Sequence, residues 1–218
     1  MPDGAGCVPW RPRSGGVEVV LVRHRATGRW ELPKGKPEVG EAPWSTARRE
    51  LAEETGLACR LDEELARVEL LDRGRWRTVH YFLTEPVAAG AVPHPLPGTE
   101  IAEARWCRLA AVEPVTCQPY DALVLVSFAS ALARRGIPLP VPPVPGGPGW
   151  RLVHWPDGEA GWPVAVSTSG SVVARSRTSA AVGRAWHAGG TDASVLLPAR
   201  AAGPGAVPDG GPEEEVER

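Results

Sequence analysis

Residues 35–57 have the sequence GKPEVGEAPWSTARRELAEETGL, which contains start and stop signals for a helix. Pro43 suits the first turn of a helix, and Gly56 suits the position just past its end. Spacings of three and four residues give this helix an apolar face made of Trp44, Ala47 and Leu51. The stretch therefore predicts a loop, a helix from Pro43 to about Thr55, and a second loop.

Three glutamates crowd the last turns of this helix. At about 100° per residue, Glu50, Glu53 and Glu54 lie within an arc of about 100°. Like charges repel there, and anions are disfavoured at this end of a helix dipole. A divalent cation removes both objections, and carboxylate oxygens suit Mg²⁺ or Mn²⁺. Arg49 can orient Glu53 through an i, i+4 pair. The alternative is a solvated charged face on a surface helix.

The wider spacing resembles the Nudix box of the Nudix (MutT-type) family. The pattern consists of Gly35, five residues, Glu41, seven residues, Arg49, Glu50, an aliphatic residue, any residue, Glu53, Glu54, any residue, Gly56 and an aliphatic residue. So many specified residue types at fixed spacings make a strong signal. The resemblance covers about residues 15–137. It implies an α/β fold, an α/β/α sandwich with a mixed sheet, in which the box forms a loop, a helix and a loop that hold the metals.

The resemblance also implies roles for individual residues. Glu50, Glu53 and Glu54 match the family's metal-binding and base-like glutamates, and Gly35 matches a glycine whose carbonyl often joins the metal shell. Arg49 is also a candidate catalytic residue, because its i, i+4 pair can orient Glu53. Glu53 is the first candidate for the general base. Glu100, in a segment similar to the acidic loop of many relatives, is the second candidate, with a plain surface loop as the alternative.

Substrate contacts are expected outside the glutamates. Lys34 and Lys36 flank Gly35, as in several relatives acting on nucleoside triphosphates or dinucleoside polyphosphates, and both are candidate phosphate contacts. Solvated surface charge is the alternative. Residues 79–83 resemble the same group of relatives, which makes Tyr81 a candidate substrate contact, although such a strand residue is as often part of the core.

The reaction implied is hydrolysis of a phosphoanhydride bond in a nucleoside diphosphate derivative. The expected substrates are nucleoside triphosphates, including oxidised ones, or dinucleoside polyphosphates. The chain lacks the proline that ADP-ribose hydrolases tend to have some fifteen residues after Leu57. Two alternatives stay open: an ADP-ribose-type pyrophosphatase, and a Nudix-fold module that senses a nucleotide without cutting it.

The rest of the chain predicts further elements and a second unit. Residues 1–16 suggest a polar, Gly-rich approach, and strands are expected near 17–22, 29–32, 65–71, 76–84 and 102–109. A second helix fits Tyr120 to Arg135.

Residues 138–149 are rich in Pro and Gly and predict a linker. Beyond it we expect a small α+β unit over 150–198, with a hairpin, a helix near 178–187 and a strand near 194–197, followed by a disordered acidic tail over 199–218.

Composition places few limits on partners. The net charge of -2 across 218 residues gives no global attraction to nucleic acid or an anionic membrane. The arginines at 151, 175, 177 and 184 are an alternative set of contacts for nucleic acid or protein.

The four cysteines form no CxxC pair and suggest reduced thiols. The longest apolar run is shorter than the ~20 residues a spanning helix needs, so a cytoplasmic protein is expected, with a homodimer as an open alternative.

Overall fold

The computed structural model of the chain describes residues 2–109 and 118–137, and then residues 139, 146–147, 150–154, 163–167, 169 and 171–176. The elements in these ranges are, in order, β1 (Gly4–Val8), β2 (Trp10–Arg13), β3 (Gly16–His24), β4 (Trp30–Glu31), β5 (Lys34–Gly35), α1 (Pro43–Thr55), β6 (Leu61–Asp72), β7 (Arg75–Thr84), β8 (Ile101–Arg108), α2 (Pro119–Arg134), β9 (Gly146–Gly147), β10 (Trp150–His154), β11 (Pro163–Ser167) and β12 (Val172–Ser176). The helix expected near 178–187, the strand near 194–197 and the acidic tail lie outside the described residues.

The strands form two sheets. The larger has the order β5-β1-β7-β6-β12-β11-β10-β9, and the smaller consists of β3 paired with β2, β4 and β8. β1 runs parallel to β7, with Gly4 opposite Val79 and Val8 opposite Leu83. The other described pairings are antiparallel. The predicted mixed sheet is therefore confirmed.

Alternate side chains of β3 pack into two different buried clusters, one on each face of the sheet. Val20 belongs to a buried cluster that includes Leu51 of α1. Val19 and Leu21 belong to a second cluster that includes Phe128 of α2. Because successive strand side chains point to opposite faces, the sheet layer lies between the two helices. This is the expected α/β/α sandwich.

α1 begins and ends at the predicted residues. Pro43 occupies its first turn, and Gly56 caps its end with a φ of 65° while donating its N–H to the carbonyl of Ala52 at 2.9 Å. A Cβ at position 56 would also come within 2.7 Å of the backbone oxygen of His94. Glycine is thus favoured by the left-handed conformation and by the close approach of another chain segment.

The buried face of α1 differs from the predicted one in its first turn. Trp44 is 46% exposed, whereas Thr46, Ala47 and Leu51 are buried. The hydroxyl of Thr46 donates to Glu41 Oε2 at 2.9 Å. The expectation that Trp44 belongs to the apolar face is therefore wrong, because the first turn packs through Thr46 and its polar partner instead.

The first sixteen residues form strands rather than a polar approach. β1 lies between β5 and β7, and Ala5 and Cys7 are fully buried. A Cβ at Gly6 would meet the backbone oxygen of Pro33 at 2.3 Å. Small residues are needed where backbones approach this closely, which explains why a central strand has the composition of a loop.

The remaining predicted elements agree closely with the structure. β3, β4, β6, β7 and β8 cover the five predicted strand regions. α2 spans Pro119–Arg134, within a residue of the predicted Tyr120 to Arg135. Gln118 and Asp121 form a reciprocal capping box at its start, which satisfies backbone donors that a helix N-terminus leaves unpaired.

The C-terminal strands continue the larger sheet. β10 and β11 pair as the expected hairpin. β12, which the sequence did not indicate, pairs with β6, placing Ala174 opposite Leu70 and Ser176 opposite Val68. Ala165 and Ala174 are buried in the cluster beneath α2. The division of the chain at residues 138–149 stays a prediction.

Two further observations concern the described part of the chain. Neither helix there has the length and apolarity needed to cross a membrane. Cys7, Cys59 and Cys107 are free thiols, as expected from their spacing, and Cys117 lies outside the described residues.

Candidate active site

The three glutamates at the end of α1 differ in exposure. Glu54 is only 7% exposed, and the side chain of Glu50 is 13% exposed. The side chain of Glu53 is 43% exposed. The helix therefore presents one carboxylate to solvent and turns two toward the segment that contains Lys34 and Gly35.

Gly35 and Lys34 of β5 contact these two inward carboxylates. A Cβ at Gly35 would lie 2.0 Å from the carboxyl carbon of Glu50. The backbone N–H of Lys34 donates to Glu54 Oε2 at 3.0 Å. Glycine at position 35 is thus required by the close approach of the Glu50 carboxylate, and the backbone of β5 forms one wall of the site.

Arg49 connects three carboxylates in what we term the Arg49 cluster: Arg49, Glu41, Glu50 and Glu53. Its Nη1 lies 2.9 Å from Glu50 and 3.3 Å from Glu53. Nε and Nη2 donate to the two oxygens of Glu41 at 3.1 and 2.9 Å, and Nη2 also donates to the carbonyl of Lys36 at 2.8 Å. The expected pair with Glu53 is present, and Arg49 additionally ties the helix to the preceding loop.

Charge is unevenly compensated across the site. Burial, with smaller contributions from the charges of Glu50 and Glu31, raises the pKa of Glu54 to about 8 against the opposing effect of Lys34. Burial also raises the pKa of Glu50 despite its contact with Arg49. By contrast, hydrogen bonds from Arg49 hold the pKa of Glu41 at about 2. The two inward carboxylates are therefore the ones that an additional cation would stabilise most.

The donor chemistry fits a divalent cation. Within the described ranges, no three carboxylate, imidazole or thiol side chains converge closely enough to hold a metal ion as they stand. Glu50 and Glu54 nevertheless offer hard oxygens beside a glycine whose backbone is accessible to them. Oxygen donors of this kind suit Mg²⁺ or Mn²⁺, so the residues present match the expected ion.

The two lysines that flank Gly35 have different surroundings. Lys34 Nζ lies 2.9 Å from Glu31 Oε1, and its side chain is only 19% exposed. Burial lowers the pKa of Lys34, but the charges of Glu31 and Asp121 outweigh it and raise the pKa above its ordinary value. Lys36 is exposed. Of the two candidate phosphate contacts, only Lys36 has a side chain open to solvent.

Glu31 is the centre of a second polar group, which we term the Glu31 cluster: Glu31, His24, Lys34 and Tyr120. Glu31 is 7% exposed. Tyr120 donates its hydroxyl to Glu31 Oε2 at 2.6 Å, and His24 Nε2 contacts the same carboxylate oxygen as Lys34. Burial raises the pKa of Glu31, but His24, Lys34 and Tyr120 together bring it down to about 2. The buried carboxylate is thus held as an anion.

Sequence reasoning missed the Glu31 cluster. Its members come from β3, β4, β5 and α2, so no local spacing reveals it. One signal was available: Glu31 is a charged residue between the apolar Trp30 and Leu32 in a segment predicted as a strand. A buried carboxylate needs partners, and Lys34, three residues later, is the nearest one in sequence.

Two expected residues lie apart from the glutamates of α1. Tyr81 is fully buried, and its hydroxyl lies 3.5 Å from Asp121 Oδ1 beneath α2. Burial therefore leaves no surface of Tyr81 for direct contact with a substrate, which corrects that expectation. Glu100 is exposed on the loop before β8, and its backbone carbonyl accepts the N–H of Arg25 at 2.8 Å. In the described chain it makes no hydrogen bond or ion pair with the α1 glutamates.

Comparisons with known proteins agree with this architecture. A family model described as the NUDIX domain matches residues 1–125. A Mycobacterium tuberculosis protein, provisionally named mutator protein MutT4, is 36% identical over 101 residues, or 44% of this chain and 40% of the relative. The chain thus spans about two fifths of that relative's length.

Solved structures that share the fold include two with a TM-score of 0.53. A C. elegans Ap4A hydrolase binary complex has a TM-score of 0.53 at 23% identity, covering 62% of this chain and 99% of its own. The NUDIX domain of Shewanella oneidensis NrtR, complexed with ADP ribose, has a TM-score of 0.53 at 19% identity, covering 59% and 86%.

Proposed function

The chain belongs to the Nudix family, and we propose that it is a metal-dependent hydrolase that cuts a phosphoanhydride bond in nucleoside diphosphate derivatives. The observation that carries the proposal is the placement of Glu50 and Glu54 against Lys34 and Gly35, with Glu53 beside them at the surface. Hydrolysis needs a base that water can reach, and the exposed carboxylate of Glu53 supplies one next to the two inward carboxylates.

Glu50, Glu54 and the carbonyl of Gly35 are the groups that would hold Mg²⁺ or Mn²⁺. When bound, the ion supplies neutralisation of the diphosphate charge and a lowered pKa for water. Arg49 orients Glu50 and Glu53, because its Nη1 contacts both carboxylates.

Glu53 is our candidate for the general base. It is the most exposed of the three glutamates, so water can reach it, and its 3.3 Å contact with Arg49 holds it in place. General bases must lie within hydrogen-bond reach of the proton they remove. Glu100 is the second candidate, since its exposed loop carries the other carboxylate that the family resemblance indicates.

We favour nucleoside triphosphates, including oxidised ones, and dinucleoside polyphosphates as substrates. Lys36 is exposed beside the β5 wall and adds positive charge where a longer polyphosphate carries negative charge. The Ap4A hydrolase that shares the fold supports the second class, and the domain complexed with ADP ribose makes ADP-ribose the substrate to test against them.

The test is product release from a nucleotide panel by the full chain, with Mg²⁺ and with excess EDTA. The panel contains dGTP, 8-oxo-dGTP, diadenosine tetraphosphate and ADP-ribose. We expect a monophosphate plus pyrophosphate from the triphosphates, or a triphosphate from the dinucleotide, and no turnover in EDTA. Full activity in EDTA would reject the metal assignment. Efficient cleavage of ADP-ribose alone would reject the substrate ranking, and binding without cleavage of any nucleotide would favour the sensing module.

A further inference from the structure

The Glu31 cluster connects four elements at one carboxylate. His24 ends β3, Glu31 ends β4, Lys34 begins β5 and Tyr120 lies in the first turn of α2. Lys34 Nζ lies 2.9 Å from Glu31 Oε1, and the Tyr120 hydroxyl donates to Glu31 Oε2 at 2.6 Å. His24 Nε2 also contacts this carboxylate. A buried carboxylate with three such partners is fixed in position, since each partner restricts its rotation.

Lys34 links this cluster to the site. Its ammonium is held by Glu31, with Nζ 5.5 Å from the centre of the Tyr120 ring. Its backbone N–H, at the other end of the same residue, donates to Glu54 Oε2 at 3.0 Å. Gly35, the next residue, lies against the carboxylate of Glu50. A shift of the Lys34 side chain would therefore move the backbone that contacts both Glu54 and Glu50.

We propose that Glu31 is a positioning residue: by holding the ammonium of Lys34, it fixes the β5 backbone that orients Glu54 and Glu50. This inference rests on the proposed function, because it assigns Glu31 a purpose at the same site. It also changes the role of Lys34, which acts through its backbone on the glutamates rather than as a free phosphate contact. Tyr120 supports Glu31 from α2.

A second carboxylate provides a matched control. Glu64 of β6 contacts His80 Nδ1 at 3.1 Å and also pairs with Arg67. It therefore combines a histidine and a basic residue, as Glu31 does, but its partners lie on β6 and β7 and its side chain is 34% exposed. Glu64→Gln removes a comparable ion-pair group without touching β5.

The experiment measures Mn²⁺ binding to the full chain from the loss of the free-ion electron paramagnetic resonance signal, with turnover measured in parallel. The variants are Glu31→Gln, Tyr120→Phe and the control Glu64→Gln. Partners that orient metal-binding groups typically contribute about 10- to 100-fold in metal affinity or activity. We expect Glu31→Gln to weaken Mn²⁺ binding by about that factor and to lower kcat more than it raises KM.

Tyr120→Phe removes one hydroxyl from the cluster and keeps the ring, so it tests the proposal if Glu31→Gln fails to fold. We expect weaker Mn²⁺ binding in Tyr120→Phe than in Glu64→Gln. Mn²⁺ affinity equal to that of the unaltered chain in every folded cluster variant would overturn the proposal, as would an equal loss in Glu64→Gln. A chain that binds Mn²⁺ and shows these differences but hydrolyses no nucleotide would contradict the proposed function alone.

Discussion

The Arg49 cluster and the Glu31 cluster both contact the segment from Lys34 to Lys36, and they use opposite central charges. In the first, one guanidinium is shared by three carboxylates, those of Glu41, Glu50 and the exposed Glu53. In the second, one buried carboxylate is shared by a lysine, a histidine and a tyrosine. The site therefore has a partly exposed side, suited to ions and water, and a buried side that holds the backbone in place.

Exposure explains why the two clusters make different contributions. Ion pairs near solvent contribute little to stability because water screens them. A buried carboxylate is costly unless every partner is present. We therefore expect changes in the Arg49 cluster to affect turnover more than folding, and changes in the Glu31 cluster to affect both.

The largest effect is expected from Glu53→Gln, which keeps the size of the side chain and removes its charge. A general base contributes about 10²- to 10⁴-fold to the rate, so kcat should fall by that factor. The melting temperature should change little because the side chain is 43% exposed. Glu63→Gln on β6, also 43% exposed, is the control. Unchanged turnover in folded Glu53→Gln would transfer the role of base to Glu100.

Arg49→Lys should give the next largest effect. Lysine keeps the charge but cannot donate to Glu41, Glu50 and the Lys36 carbonyl in the fixed geometry of a guanidinium. We expect turnover to fall by roughly 10- to 100-fold. Arg48→Lys, one residue earlier on α1, is the matched control. Equal activity in the two variants would show that Arg49 contributes only charge.

The Glu31 cluster should give stability a distinct pH dependence. The pKa of Glu31 is about 2 in the folded chain, below the ordinary value of about 4.3. Its depressed pKa therefore contributes stability that is present above about pH 4 and is lost as pH falls toward 2. Urea unfolding from pH 7 to pH 3 should show Glu31→Gln less stable by at most about 3 kcal/mol at pH 7, with the difference shrinking in acid. A difference independent of pH would contradict this origin.

Lys36→Ala should have a smaller effect, confined to substrate binding. Its side chain is exposed, and exposed charges contribute about 0.2–1 kcal/mol. We expect KM for a triphosphate to rise about 2- to 5-fold, with a smaller rise for a two-phosphate substrate, and added salt to reduce the contrast. Kinetics at two ionic strengths measure this. Equal changes for both substrates would remove the charge argument.

Removal of the C-terminal strands should affect turnover least. We predict that residues 1–140 fold and hydrolyse alone, since the proposed site residues all precede this end. Loss of β12 uncovers the β6 edge and part of the α2 cluster, so the melting temperature should fall by roughly 3–8 °C. A folded but inactive fragment would instead mean that the C-terminal strands complete the pocket.

Much of the fold and one side of the site could be predicted from the sequence, for identifiable reasons. The bounds of α1 follow from Pro43 and Gly56, whose backbone preferences act locally. Arg49 and Glu53 could be paired because they lie one helical turn apart. β1 could not be predicted, because Gly6 serves a close approach to Pro33 that only the folded chain contains.

The same limit applies to the buried side of the site. The chemistry of Lys34 depends on Glu31 and Tyr120, and Tyr120 lies 86 residues further along the chain. Likewise, Tyr81 was a reasonable substrate contact by resemblance, but packing beneath α2 buries it. Local patterns predict the charges, and tertiary contacts decide which of them remain available.

The most direct test is the location of Mn²⁺ by anomalous diffraction from crystals of the full chain grown with the ion. Because Glu50 and Glu54, set against the β5 backbone, are proposed to form the cation site, we expect an anomalous peak coordinated by both carboxylates next to Gly35. Arg49 should still be bound to Glu41, and Lys34 to Glu31. A peak coordinated by other residues, or none at saturating Mn²⁺, would contradict this assignment.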